Sequence, residues 1–117
     1  KLMKKQRLVV ICNGMAGVRT VEEILARGGA DQFEITIFGD EPYGNYNRIL
    51  LSNVMNGSQE PEDIFLNAFP WYRERDIKLH VGVRVLHIDR VRKLVFGVHP
   101  VVTREQRARV EQALRNA

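Results

Sequence analysis

Cysteine is almost absent from this sequence, since Cys12 is the single cysteine among 117 residues. One cysteine forms no disulfide within a chain, and it cannot supply the ligand set of a cysteine-built zinc or iron–sulfur centre. His80, His87 and His99 lack the spacing of metal ligands, so we expect no metal site. The scarcity of cysteine is typical of a reducing compartment, and it favours a cytoplasmic location.

Long apolar runs are absent as well. No run approaches the roughly 20 apolar residues that a membrane-spanning helix needs, and no secretory signal follows the basic start of the chain. We therefore expect no membrane association. The formal net charge is +4. No basic run is interleaved with aromatic residues that could stack on bases, so we expect no nucleic-acid partner.

The sequence is organised around a strand, a turn and a helix at residues 7–29. The continuous apolar run Leu8–Ile11 predicts a buried parallel strand over 7–12. Residues 15–28 place apolar side chains on one face and charged ones on the other, which predicts a helix that Gly28 and Gly29 end. A second β-rich run at 33–38 completes a right-handed βαβ unit with parallel strands.

The rest of the chain is predicted to form shorter elements within one domain, 1–117. We expect a short helix or ordered loop at 48–55, one or two helical turns within 61–75, a strand at 77–81 and a hairpin from 83–88 and 93–96. An apolar connector follows at 98–102, and a helix at 103–116 would begin with a capping box formed by Thr103 and Gln106.

The turn after the first strand is typical of dinucleotide-binding proteins, whose pattern is G-x-G-x-x-G. Here the pattern is Cys12-x-Gly14-x-x-Gly17. Gly14 would let the backbone approach a pyrophosphate, Gly17 would let helix and strand pack closely, and the helix start near Met15 would offer free N–H groups. If Cys12 has a positive φ, it stores strain on the order of 1–3 kcal/mol, and if its φ is negative the cost is small.

Two acidic residues, Asp40 and Glu41, directly follow the second predicted strand. Sites of this kind use a carboxylate about 20 residues beyond the glycines to accept hydrogen bonds from the adenosine ribose. Both residues fit that role, and both are also ordinary residues of a surface turn. Arg48, seven positions beyond Glu41, is interpreted from the residues alone as an exposed loop charge.

Three stretches carry a resemblance to a known family, namely NGMAGVRTVEEIL (13–25), ITIFGDEPYGNYNRILLS (35–52) and WYRERDIKLHVGVRV (71–85). Residues 7–97 resemble the FAD-binding half of flavoprotein reductases with two dinucleotide domains, and above all the large subunit of NAD(P)H nitrite reductase. The resemblance implies an α/β fold that is a truncated, three-layer Rossmann-like FAD/NAD(P)-binding domain with a mostly parallel sheet. Residues 98–117 do not resemble the family and form a divergent connector and C-terminal helix.

The resemblance also implies which residues would bind the cofactor, which is FAD. The turn would line its pyrophosphate, Arg48 would bind the same group, and one of the two acids would bind the ribose. Further along, Leu51 and Ser52 would lie toward the flavin. The full set of expected cofactor-binding residues is Cys12, Gly14, Met15, Ala16, Gly17, Asp40, Glu41, Arg48, Leu51, Ser52 and Val85, the last of them beside the adenine. No catalytic residue is expected. The Cys12 thiol is interpreted as a small packed group rather than a redox centre, and Trp71 and Tyr72 as core residues rather than stacking platforms.

Two functions remain open at this point. In the first, the chain is a partial FAD-binding module that contributes to electron transfer from NAD(P)H only with a second redox component, because the nicotinamide domain and the cluster cysteines are missing. In the second, it is a non-enzymatic α/β module that acts through oligomerisation or partner binding. The family's Ala-Thr-Gly strand is missing too, which would leave Leu8–Ile11 at a sheet edge and predicts a homo-oligomer unless 98–117 covers that edge.

Overall fold

A computed structural model describes residues 4–99 together with four helical positions nearer the C-terminus, Arg104, Glu105, Ala108 and Gln112. Apart from these four positions, the predicted helix at 103–116, with its capping box, lies outside the described residues, and so does most of the predicted connector. Within the described part of the chain, no helix is long and apolar enough to cross a membrane.

The described residues form an alternation of strands and helices with three short 3-10 turns. In chain order the strands and α-helices are β1 (Gln6–Ile11), α1 (Met15–Ala26), β2 (Phe33–Phe38), β3 (Asn45–Tyr46), α2 (Leu51–Met55), β4 (Phe65–Asn67), α3 (Phe69–Glu74), β5 (Lys78–His80), β6 (Arg84–Asp89) and β7 (Leu94–Val98). The 3-10 turns are Gly29–Asp31, Arg48–Leu50 and Pro61–Ile64.

The main sheet is parallel and has the order β1-β2-β5. Along β1, Gln6 lies opposite Phe33 and Ile11 lies opposite Phe38, and the last residues of β2 pair with β5. The predicted βαβ unit is therefore confirmed, but the expected burial of β1 is wrong, because its residues are exposed or half-buried. Among the described strands β1 lies at the edge of this sheet, as expected, and the pairing of a second chain with that edge stays a prediction.

Helix α1 packs on one face of the sheet through a small apolar core. Val18 and Val21 are fully buried, and Val21 belongs to one cluster with Ile35 and Ile37 of β2. Tyr72 and Ile77 complete this cluster. The helix ends at Ala26, two residues before the predicted end, because Gly28 adopts the left-handed conformation with φ +81°.

Two antiparallel pairs accompany the main sheet. The predicted hairpin is confirmed as β6 paired with β7. The pairing of β3 with β4 was not predicted, and it consists of Asn45 opposite Asn67 and Tyr46 opposite Phe65. Strands this short carry too little periodicity to be recognised in a sequence. Their importance is that they hold the loop between β2 and α2 against the body of the protein.

The turn of the β6–β7 hairpin is held by the carboxylate of Asp89. Its Oδ1 accepts hydrogen bonds from the backbone N–H of Val91 at 3.1 Å and of Arg92 at 2.9 Å, and its Oδ2 accepts one from Arg92 Nε at 2.7 Å. The backbone N–H of Arg92, followed by its guanidinium, lowers the pKa of Asp89 from its ordinary value of 3.8.

This carboxylate makes hairpin stability depend on pH. Because the folded pKa lies below 3.8, its stabilisation is fully present above that pH and is lost as the pH falls through the folded pKa. Asp89→Asn is therefore expected to melt at a slightly lower temperature than the wild type at pH 6. The difference should shrink as the pH falls toward 2, and thermal melts followed by circular dichroism measure it. With Asp31→Asn, an exposed aspartate outside the hairpin, as the matched control, a difference that stays constant with pH would contradict this assignment.

Candidate functional site

A cavity of about 650 Å³ opens where β1 and β2 end and β6 begins. Ligand sites of open parallel sheets occur at this edge, beyond the carboxyl ends of the strands. The wall comes from four segments, which are the turn after β1 (11–16), the end of β2 (38–41), parts of the loop 43–48, and residues 83–85.

Most of the site residues expected from the sequence lie together in this wall. They are Cys12, Gly14, Met15, Ala16, Asp40, Glu41, Arg48 and Val85. The wall does not include Gly17, Leu51 or Ser52. Gly17 lies behind the turn, where it faces backbone rather than cavity. The sequence did not single out several other wall residues, which are Asn13, Tyr43, Asn45, Tyr46, Val83 and Arg84.

Cys12 resolves the question that the sequence left open at the first position of the turn. Its φ is +131°, in the region that favours glycine. A residue with a Cβ in this conformation carries strain on the order of 1–3 kcal/mol. The turn keeps its shape nonetheless, because the backbone N–H of Cys12 donates to the carbonyl of Phe38 at 3.0 Å. Cys12 is exposed, so the interpretation of its thiol as a small packed group is wrong.

The start of α1 offers an anion-binding backbone. Gly14 caps the helix with an extended conformation and no side-chain hydrogen bond, and the first turn contains no acidic residue. The first intrahelical bond runs from Val18 N to Gly14 O at 3.0 Å. The N–H groups at 15–17 therefore lack partners within the helix, and the positive end of the helix dipole lies at the cavity.

The two glycines of the turn are required for different reasons. A Cβ on Gly17 would lie 2.3 Å from the carbonyl oxygen of Cys12, so only glycine lets α1 approach β1 this closely. A Cβ on Gly14 would lie 3.1 Å from Cys12 Sγ, which is a movable side-chain atom. Gly14 thus leaves the cavity side of the turn free of a Cβ, which in dinucleotide-binding turns lets a phosphate approach the backbone.

Arg84, at the start of β6, binds the carboxylate of Asp40. Arg84 Nη2 donates to Asp40 Oδ2 at 2.8 Å, and Arg84 Nε donates to both oxygens at 3.2 Å. The pKa of Arg84 is raised by this hydrogen bond. Since the N–H of Val83 also donates to the carbonyl of Gly39 at 2.9 Å, residues 83–85 are fixed against the end of β2.

Glu41 and Arg48 face each other at the mouth of the cavity. Arg48 Nη2 donates to Glu41 Oε1 at 2.6 Å, and the hydroxyl of Tyr46 donates to Glu41 Oε2 at 2.8 Å. The guanidinium carbon of Arg48 also lies 5.2 Å from the centre of the Tyr46 ring. Burial, followed by the hydrogen bond to Glu41, raises the pKa of Tyr46. Arg48 is thus directed toward the site by partners that are themselves wall residues.

The loop that carries Arg48 is anchored by buried amides. Asn45 is buried, and its Nδ2 donates to Asn67 Oδ1 at 2.8 Å. Asn45 Oδ1 has no hydrogen-bond partner among the described residues. Gly44 packs so tightly that a Cβ would lie 2.2 Å from the carbonyl oxygen of Asn67. These contacts join β3 to β4 and explain how an irregular loop presents a fixed arginine.

The remaining candidates of the sequence lie outside the wall. Tyr72 is 1% exposed and belongs to the core, and Trp71 packs against it with its ring centre 5.0 Å away. His80 stacks on Phe38 with a centroid distance of 4.9 Å. No group of three or more His, Cys, Asp or Glu side chains that could hold a metal ion occurs in the described part of the chain.

Comparison with known sequences connects this geometry to one family. The family profile described as pyridine nucleotide-disulphide oxidoreductase matches residues 6–114. The chain is 50% identical over 94 residues to a nitrite reductase (NAD(P)H) of Bacillus subtilis (strain 168), covering 80% of this chain and 12% of that protein. It is 53% identical over 87 residues to the assimilatory nitrate reductase electron transfer subunit of the same organism, covering 74% and 11% respectively.

Solved structures share the fold. In the covalent putidaredoxin reductase–putidaredoxin complex, a chain matches with a TM-score of 0.72 and 25% identity, over 82% of this chain and 23% of that one. NADH:rubredoxin oxidoreductase from Clostridium acetobutylicum matches with a TM-score of 0.69 and 24% identity, over 80% of this chain and 24% of that one. These neighbours confirm the Rossmann-like α/β fold that the sequence predicted.

The match covers nearly all of this chain but only part of its relatives. The chain spans about 12% of the nitrite reductase and 23% of the solved reductase chain. The matched residues include the strand, turn and helix at the cavity, together with β2 and the loop that carries Arg48. The resemblance to nitrite reductases is thereby confirmed, and the chain belongs to the pyridine nucleotide-disulphide oxidoreductase family.

Proposed function

We propose that this chain binds FAD through the ADP part of the cofactor, as the flavin-binding portion of a nitrite reductase-type oxidoreductase. The single observation that carries the proposal is the meeting, in one cavity, of a helix N-terminus free of acidic residues, an arginine and a pair of carboxylates. Phosphate oxygens suit the N–H groups and the arginine, and sugar hydroxyls suit a carboxylate.

Different residues of the cavity wall would bind different parts of FAD. The backbone at Gly14–Ala16 and the guanidinium of Arg48 would hold the pyrophosphate. Either Glu41 or Asp40 would accept hydrogen bonds from the ribose, and residues 83–85 would lie against the adenine. Asp40 already accepts hydrogen bonds from Arg84, and Glu41 accepts them from Arg48 and Tyr46, so either carboxylate would have to exchange a partner to bind the ribose.

FAD supplies two-electron redox chemistry when bound, and this chain supplies binding and orientation. The electron donor is proposed to act through a second component, because the cavity at the ends of β1 and β2 is assigned to FAD. The names of the relatives, a nitrite reductase (NAD(P)H) and a nitrate reductase electron transfer subunit, support a place in NAD(P)H-linked reduction of a nitrogen oxide.

Arg48→Gln is expected to weaken FAD binding about tenfold or more, because a charge-assisted hydrogen bond to the pyrophosphate is lost. Titration of the purified chain with FAD, followed by quenching of flavin fluorescence, measures the dissociation constant. Arg92→Gln is the matched control, since Arg92 is another exposed, ion-paired arginine but lies in the β6–β7 turn. The control should bind FAD as the wild type does.

If the wild-type chain neither quenched FAD fluorescence nor bound ADP, the proposed function would be wrong. A non-enzymatic α/β module would then be favoured. Binding that is equally weak in the Arg48 and Arg92 variants would remove Arg48 from the site. In either case circular dichroism must first show that the chain is folded, so that loss of binding is not loss of structure.

A further inference from the structure

We propose that Tyr72 is a positioning residue for the phosphate-binding turn, acting through the side chain of Asn13, an inference that rests on the proposed FAD site. Tyr72 lies in α3 and does not line the cavity, so it touches no ligand. Its hydroxyl nevertheless connects the turn after β1 to the loop that carries Arg48. The two phosphate-binding parts of the site would thus share one buried anchor.

The contacts of this hydroxyl define the anchor. Tyr72 Oη donates to Asn13 Oδ1 at 2.6 Å and accepts from the backbone N–H of Asn45 at 3.1 Å. Asn13 follows Cys12 in the turn, and its Nδ2 donates to the carbonyl of Tyr43 at 3.1 Å. Both polar atoms of the Asn13 side chain are therefore used, one by α3 and one by the loop.

The turn has a specific need for such an anchor. Cys12 is held at φ +131°, a conformation that a residue with a side chain leaves when its surroundings permit. Relaxation there would move Asn13 and Gly14, whose backbone has to meet the pyrophosphate. Asn13 is also hemmed in by Gly39, since a Cβ on that glycine would lie 2.8 Å from Asn13 Cβ. The hydrogen bonds of Asn13 thus oppose the relaxation of its strained neighbour.

The tyrosine is suited to this task by its surroundings. It is 1% exposed, so water does not compete for its hydroxyl. Burial raises its pKa further above the ordinary value of 10.0, so the hydroxyl that donates to Asn13 carries its proton throughout the neutral range. A residue that only filled the core would need the ring alone, and phenylalanine would then serve equally well. The effect of removing the hydroxyl group therefore distinguishes a positioning role of Tyr72 from a packing role.

The experiment is a double-mutant cycle between Tyr72→Phe and Cys12→Gly, with FAD and ADP affinities as the readout. Tyr72→Phe is expected to weaken both ligands about tenfold, because the turn relaxes away from the binding geometry. In the Cys12→Gly background the strain is gone, so the same substitution should cost only about twofold. Trp71→Phe, which changes the aromatic neighbour of Tyr72 and keeps the hydroxyl, should leave both affinities within about twofold of wild type.

A second variant keeps the test decisive if Tyr72→Phe folds poorly. Asn13→Ala removes the Tyr72–Asn13 hydrogen bond from the turn side, together with the bond to Tyr43, and it should weaken FAD and ADP at least as much. The double variant with Tyr72→Phe should lose less binding free energy than the sum of the two single losses, because both substitutions delete the Tyr72–Asn13 bond. Circular dichroism and thermal melts verify the fold of every variant at the temperature of the titration.

Three results would overturn the inference. Wild-type affinity in folded Tyr72→Phe would show that the hydroxyl positions nothing, while the proposed FAD function would stand. If Tyr72→Phe lowered the affinities equally in the wild-type and the Cys12→Gly backgrounds, Tyr72 would have a merely structural role. The proposed function would stand in that case too. Failure of the wild type to bind either FAD or ADP would overturn the proposed function and this inference together.

Discussion

Gly17→Ala is expected to abolish detectable FAD binding and to lower the free energy of unfolding by about 2 kcal/mol. The added Cβ would lie 2.3 Å from the carbonyl oxygen of Cys12, and a backbone atom cannot move aside without shifting β1 or α1. Overpacking of this kind costs about 1–3 kcal/mol or more, against a gain in helix propensity of at most about 1 kcal/mol. Urea denaturation and FAD titration measure the two effects.

Gly14→Ala is the matched control for this prediction, since it adds the same methyl group three residues earlier. There the Cβ would meet the movable Sγ of Cys12 at 3.1 Å, and the φ of −98° suits alanine. The variant should therefore fold nearly as stably as the wild type and lose only FAD affinity. Equal destabilisation by the two substitutions would contradict the assignment of Gly17 to strand–helix packing.

Ile37→Ala is expected to lower the free energy of unfolding by about 3 kcal/mol. Ile37 lies in the central strand of the main sheet with 0% exposure, within the cluster that joins α1 to β2. Removing its outer carbons loses transfer free energy and leaves a cavity. Because Asp40 and Glu41 lie just beyond the end of β2, FAD binding should also become weaker as the strand loosens.

Ile49→Ala is the control for the core substitution, because it makes the same chemical change at a side chain that is 78% exposed. Its free energy of unfolding should stay within about 0.5 kcal/mol of wild type in urea denaturation. If the two isoleucine variants unfolded at the same urea concentration, the packing of α1 on β2 would not be the main source of stability in this chain.

The βαβ unit and most of the predicted residues that line the cavity could be recognised from the sequence, because they depend on local signals. The apolar run of β1, the helical periodicity of α1 and the glycine pair after it are each visible within a dozen residues. Because β1 and β2 are parallel, Asp40 and Glu41 after β2 lie at the same sheet edge as the turn after β1. Arg48, by contrast, was assigned only through the resemblance, since nothing local distinguishes it from a surface charge.

Other parts of the site depend on contacts between residues far apart in the chain, and no local pattern encodes them. Tyr72 reaches Asn13 across 59 positions, and Arg84 reaches Asp40 across 44. The pairing of β3 with β4 was missed for the same reason, because each strand has only two or three residues. The φ of Cys12 could not be read either, since it is set by the neighbours that hold the turn.

In the proposed FAD site, Glu41 would compete with the phosphate for Arg48, because the two side chains already form an ion pair. A phosphate that binds Arg48 would exchange one anion for another rather than create a new pair, so added salt would screen the free and the bound states alike. The exchange would also release Glu41 Oε1, which then becomes an acceptor for a sugar hydroxyl. Binding of the phosphate and binding of the sugar would thereby be coupled. The binding free energy of a ligand with both groups would then exceed the sum for two ligands that carry one group each.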